Sequence, residues 1–159
     1  MTGLLHWEDF HAGQVIELGE RTLTADEIVA FGRQWDPQFF HTDPEAAVDG
    51  PFGGLVASGW HTASVWVRLF VDEVLSRAAA LGGPGVEELR FHQPTRPDRL
   101  LRCRLLVHET LPSSRRGDRG TILAEAQIAD EAGELVMSFR FRTYLARRAP
   151  DVASAAPGP

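Results

Sequence analysis

The 159-residue chain is 43% hydrophobic, enough for one domain with a substantial core and too short for two ordinary ones. Its net charge of −6 argues against sequence-independent nucleic-acid binding, and because all 16 basic residues are arginine, Schiff-base and lysine-nucleophile mechanisms are excluded. The single cysteine, Cys103, cannot form an internal disulfide and lies in an alternating apolar run, where it reads as a small buried hydrophobe in a reducing compartment.

The N-terminus lacks the basic region and apolar core of a signal peptide, and no apolar run approaches the roughly 20 residues of a membrane-spanning helix, so a cytoplasmic protein is expected. Residues 14–18 alternate as a short strand that Gly19 and Glu20 should end. Thr24 and Glu27 form a capping box, and Ile28, Val29 and Phe31 carry a helix to about Trp35. Pro37 and Pro44 then restrain the backbone on either side of His41, which predicts an ordered loop. From Ser58 to about Leu81 the pattern is helical, with Val65, Leu69, Val74 and Ala78 on one face and Trp66 and Phe70 beside them. Apolar residues ring most of this helix, so it should be largely wrapped by other structure, with Gly82-Gly83-Pro84-Gly85 stopping it. Period-two segments follow at 86–92, 100–109, 120–130 and 134–145, read as a meander of four strands with turns at 96–98, 112–118 and 131–133. The fold class is therefore α+β, a single domain through residue 147 with an antiparallel sheet curled around one long central helix. Such a sheet leaves an edge strand and an apolar flank that a dimer would cover. The Pro-, Gly- and Ala-rich tail, 148–159, cannot bury enough surface to offset its ordering entropy and is expected to be disordered.

Chemistry concentrates in Asp36-Pro37-Gln38-Phe39-Phe40-His41-Thr42-Asp43-Pro44. A histidine titrates nearest neutrality of all side chains, and a carboxylate five residues away can orient it or share a proton transfer. Taken alone the spacing also suits a turn residue and a packed histidine; the flanking prolines and the water-excluding Phe39 and Phe40 favour chemistry. The glycine-rich segment 51–59 leads into the long helix, whose first N–H groups are unpaired and carry partial positive charge. Gly59 there could offer its amide to a developing anionic oxygen, or could simply permit close packing. Ser58 and His61 do not form a Gly-x-Ser-x-Gly elbow, and the six histidines show no zinc-ligand spacing.

Phe31, the Asp36-to-Pro44 segment with Ala47, and Phe52-Gly53-Gly54-Leu55-x-Ala57-Ser58-Gly59-Trp60-His61-Thr62, followed by Leu89-Arg90-Phe91 and Pro94-x-Arg96-Pro97, resemble the MaoC-like dehydratases, which include (R)-specific enoyl-CoA hydratases. The resemblance implies a hot-dog fold, commonly dimeric. It also implies reversible hydration of a trans-2-enoyl thioester, of CoA or of acyl-carrier protein, to an (R)-3-hydroxyacyl thioester, with no metal or redox cofactor. By position, Asp36 and His41 match the family's catalytic pair and Gly59 the glycine whose amide polarises the thioester carbonyl; Gln38, Phe40, Ser58 and Ser64 are expected to contact substrate. Three positions depart from the family pattern: Gln38 replaces the asparagine of Asp-x-Asn-Pro-x-His, Phe39 replaces a second proline, and Val67 falls where some hydratases carry a serine, with Ser64 one turn earlier. Thioester hydrolysis and a non-catalytic acyl-binding subunit of a heteromer, both known among hot-dog proteins, are the alternatives. The partners expected are the thioester itself and a second copy of the chain, as a homodimer or dimer of dimers.

Overall fold

The computed structural model describes residues 3–148. Five antiparallel strands, β1 (Val15–Thr22), β2 (Gly85–Phe91), β3 (Leu100–Pro112), β4 (Arg119–Ala129) and β5 (Leu135–Ala146), form one sheet in the order β1-β3-β4-β5-β2. The helices are α1 (Ala25–Trp35), the single turn α2 (Phe39–Thr42) and α3 (Gly59–Glu73). The sheet curls around α3, which is the hot-dog arrangement. Trp66 anchors the packing at 1% exposure; its ring meets Phe70, Phe139 and Phe141, and its indole N–H reaches the Arg104 carbonyl at 2.9 Å. Cys103 is fully buried in this core, as expected of a small hydrophobe. No helix among the described residues is long and apolar enough to cross a membrane.

Several local expectations change. β1 does not stop at Gly19: that residue adopts φ 108°, a conformation glycine tolerates, and makes a bulge that lets pairing with β3 resume to Thr22. The segment around His41 is not a loop throughout. Pro37 keeps Asp36 out of helical conformation (φ −151°, ψ 72°), and a single helical turn, α2, starts after Gln38.

The central helix ends at Glu73, eight residues early. Ala78, Ala79 and Ala80 favour helix intrinsically, yet Ala79 N–H donates to the Leu5 carbonyl and Ala146 N–H to the Ala79 carbonyl, so the run becomes an extended segment beside the end of β5. Nor is α3 wrapped all round. Trp60, Val67 and Val71 are 59%, 48% and 39% exposed. Finally, only β3, β4 and β5 form a meander, because β2 pairs with β5 at the far edge of the sheet. Residues 92–99 between β2 and β3 are too long, and with Pro94 and Pro97 too stiff, for a tight hairpin. The expectation for the tail falls outside the described residues from position 149 onward.

Candidate active site

Asp36 closes α1, its N–H bonded to the Gly32 carbonyl at 2.9 Å. Both carboxylate oxygens are held. Ser58 Oγ donates to Oδ2 at 2.7 Å, and Gln38 Nε2 donates to Oδ1 at 2.9 Å. The Ser58 hydroxyl, opposed by burial and helped by Gln38 and His41, keeps the carboxyl below its usual range. Asp36 is therefore a carboxylate at neutral pH.

His41 lies on α2 and its side chain is 7% exposed. Its Nδ1 is 2.7 Å from the Val56 carbonyl, which can only accept, so Nδ1 carries a proton and Nε2 is turned toward Asp36 Oδ2, 3.4 Å away. Phe40 packs edge-on against the imidazole at 4.6 Å and against Phe52 at 5.2 Å, shielding one side of the pair from water. Gly32 makes this approach feasible: a Cβ there would fall 2.7 Å from the His41 carbonyl oxygen.

The pair opens on a cavity of about 530 Å³ that also presents Gly59, Trp60, Phe91 and His92. Larger clefts of about 690 and 760 Å³ lie elsewhere on α3 but contain neither Asp36 nor His41, so the chemistry marks the smaller one. Gly59 is the first residue of α3, and its N–H has no partner among the described residues. Its missing side chain also matters for packing, since a Cβ would lie 2.4 Å from the Phe91 ring. At this glycine an unpaired N–H and a close packing contact are both present.

Asp36, Gln38, Phe40, His41, Ser58 and Gly59 thus gather around one cavity. Ser64 does not: its hydroxyl donates to the Trp60 carbonyl at 2.8 Å, and it lines the two other clefts. Gln38 and Ser58 line the cavity and each also donates to Asp36, Gln38 through Nε2 and Ser58 through its hydroxyl. Three features had no reading in the sequence. The Val56 carbonyl has no side-chain signature, and the Thr62 to Thr95 hydrogen bond at 2.8 Å joins α3 to a segment 33 residues away. Gly32 did leave a signal, as a glycine in the middle of a capped helix.

A carboxylate, an imidazole nitrogen and an unpaired amide around one cavity can hold a water molecule, take its proton and stabilise a developing oxyanion. The model of the MaoC like domain matches residues 9–127, a stretch that contains all of these groups. Curated relatives include the uncharacterized protein YdeM of Bacillus subtilis, 31% identical over 91 residues, covering 57% of this chain and 64% of that protein. The 3-hydroxyacyl-thioester dehydratase Z of Mycobacterium tuberculosis is 33% identical over 75 residues, covering 46% of this chain and 50% of that protein. The chain thus spans less than two thirds of either relative. Among solved structures, the MaoC-like dehydratase from Rhodospirillum rubrum aligns with a TM-score of 0.84 at 36% identity, over 92% of this chain and 99% of that one. With the family model matching well over half of the sequence, and Asp36 and His41 inside the matched stretch, this chain belongs to the MaoC-like domain family.

Proposed function

We propose that the protein is a hydro-lyase that reversibly adds water to a trans-2-enoyl thioester, giving the (R)-3-hydroxyacyl thioester. The observation that carries this reading is the convergence of Asp36 Oδ2 and His41 Nε2, 3.4 Å apart, on the cavity that also presents Gly59. A dehydratase name on the solved structure at 36% identity supports it.

In the hydration direction, a water held by the pair loses a proton to His41 Nε2 as its oxygen bonds to C3. The C2–C3 double-bond electrons move toward the thioester oxygen, which the Gly59 N–H stabilises. C2 then takes the proton back from the imidazole on the same face, so one water is added and no group remains on the enzyme. Asp36, ionised throughout, stabilises the transient imidazolium.

The same reading includes a cytoplasmic homodimer acting on CoA or carrier-protein thioesters. Trp60, Val67, Val71, Val86 and Leu89 line an apolar cleft of about 760 Å³ beside the free edge of β2, a surface suited to a second copy. Trp60 also borders the active-site cavity, so the partner would stand close to the reacting acyl chain.

The test is a panel of short, long and branched enoyl thioesters, following loss of enone absorbance and release of thiol separately. Hydration without thiol release is expected, and Asp36→Asn and His41→Ala should each lower turnover by at least about a hundredfold. Thiol release from saturated acyl thioesters would instead assign hydrolysis, and inactivity of the purified homodimer on every enoyl thioester would assign a non-catalytic subunit.

A further inference from the structure

We infer that Ser58 is a positioning residue, whose hydroxyl fixes the Asp36 oxygen that faces His41 and ties it to the helix end that presents the Gly59 amide. The catalytic consequence rests on the hydratase reading; the structural content does not.

The direction of the hydroxyl proton is determined by its neighbours. Trp60 N–H donates to Ser58 Oγ at 3.3 Å, using an oxygen lone pair, and a carboxylate can only accept, so the one hydroxyl proton lies on the 2.7 Å contact to Asp36 Oδ2. Ser58 is 1% exposed, so the contact is shielded from bulk solvent. The residue is at once the N-cap of α3 and the clamp on the carboxylate, across 22 positions of sequence.

The two halves of the acid/base pair are held independently. His41 is fixed through Nδ1 by the Val56 carbonyl, whereas the fixed donors to Asp36 are Gln38 on Oδ1 and Ser58 on Oδ2. Among the described residues, Ser58 alone hydrogen-bonds Asp36 to the start of α3, and Gly59 follows it directly in the chain. The carboxylate that faces His41 and the Gly59 amide are therefore tied to one turn.

The titratable groups around Asp36 are few. α2 contributes His41, and the segment just after β2 contributes His92 at the cavity wall; Ser58, the N-cap of α3, offers a hydroxyl that does not titrate, and Val136 of β5 is uncharged. Without Ser58, burial would no longer be opposed by its largest counterweight, and the carboxyl would titrate higher.

The experiment compares Ser58→Ala and Ser58→Gly with wild type by ¹³C NMR titration of the Asp36 carboxyl without substrate, alongside pH profiles of kcat/KM. The pair separates clamp from cap, because glycine is nearly as good an N-cap as serine and alanine is poor. A positioning role predicts that the Asp36 midpoint moves up in both variants, that the acid limb of kcat/KM moves the same way, and that kcat falls about tenfold with KM little changed. An Asp36 midpoint unmoved in both variants overturns the inference, as does a defect in Ser58→Ala that Ser58→Gly lacks. The NMR titration needs no turnover, so a wild type inactive on enoyl thioesters would sink the hydratase reading and leave this test standing.

Discussion

Away from Asp36 and His41, buried Cys103 and half-buried His61 are two titratable side chains whose environments assign them different roles. Burial pushes the Cys103 thiol up to about 12, so it is neither a nucleophile nor a redox sensor at neutral pH. His61 stacks flat on Phe31 at 4.4 Å, and its Nδ1 has no partner among the described residues. Burial lowers its proton affinity below the ordinary value of 6.5, outweighing the attraction of Glu27. The unfolded chain then binds the extra proton first, so stability is full above about pH 6.5 and is lost as pH falls toward the folded-state value. Replacing His61 by Phe preserves the stack and removes the titration. Urea midpoints at pH 7 and pH 5 should converge in His61→Phe while the wild type drops more steeply; equal slopes in both would refute the assignment. At this scale the sequence marked Asp36, His41 and Gly59, because a carboxylate and an imidazole on a proline-restrained segment and a glycine at a helix start are informative residue types wherever they occur. It did not expose the use of Ser58, because a hydroxyl at an N-cap satisfies the helix whether or not it also donates to a distant carboxylate.

At the level of elements, α1 and α2 set the distance between Asp36 and His41, and Gly32 sets the distance between those helices. Ala at position 32 would gain about 1 kcal/mol of helix propensity but must displace the His41 backbone, a repacking that typically costs about 1–3 kcal/mol. The two nearly cancel in stability and not in geometry, since a shift of about 1 Å at a catalytic group can cost about a hundredfold. Gly32→Ala should therefore lower kcat/KM more than tenfold, by an order-of-magnitude reading of that sensitivity, while the thermal midpoint moves only a few degrees. A variant with intact turnover would show that α2 tolerates the displacement. The capping box at Thr24 and Glu27 was readable because both partners sit within one turn. The early end of α3 was not, because Ala78–Ala80 obeys hydrogen bonds to Leu5 and Ala146 that no local pattern records.

For the whole molecule, the open question of composition becomes one of surface. Trp60, Val67, Val71, Val86 and Phe91 are between 39% and 59% exposed on α3 and β2, an apolar area that a lone domain has no reason to keep. If a second copy covers it, Val67→Glu should convert the protein to monomer in sedimentation at micromolar concentration without unfolding it, because Val67 is 48% exposed in the single chain. A variant that sediments as wild type would place the interface elsewhere. On the proposed function, turnover should fall with the dimer, since Trp60 belongs to both the apolar cleft and the cavity at Asp36 and His41.

The sequence by itself determined what is local or compositional: the α+β class, the strands and the capped helix starts; it also marked Asp36, His41 and Gly59, which the fold gathers around one cavity. Its residue blocks also carried the family resemblance. The tertiary structure decided what depends on residues far apart in the chain. Hydrophobic alternation marks a strand but not its neighbour, so only the folded sheet placed β2 against β5. A histidine's tautomer depends on the acceptor it meets, so only the fold brought the Val56 carbonyl to Nδ1. A serine's hydroxyl takes the direction its surroundings impose, and the meeting of α1 with the start of α3 turned Ser58 toward Asp36.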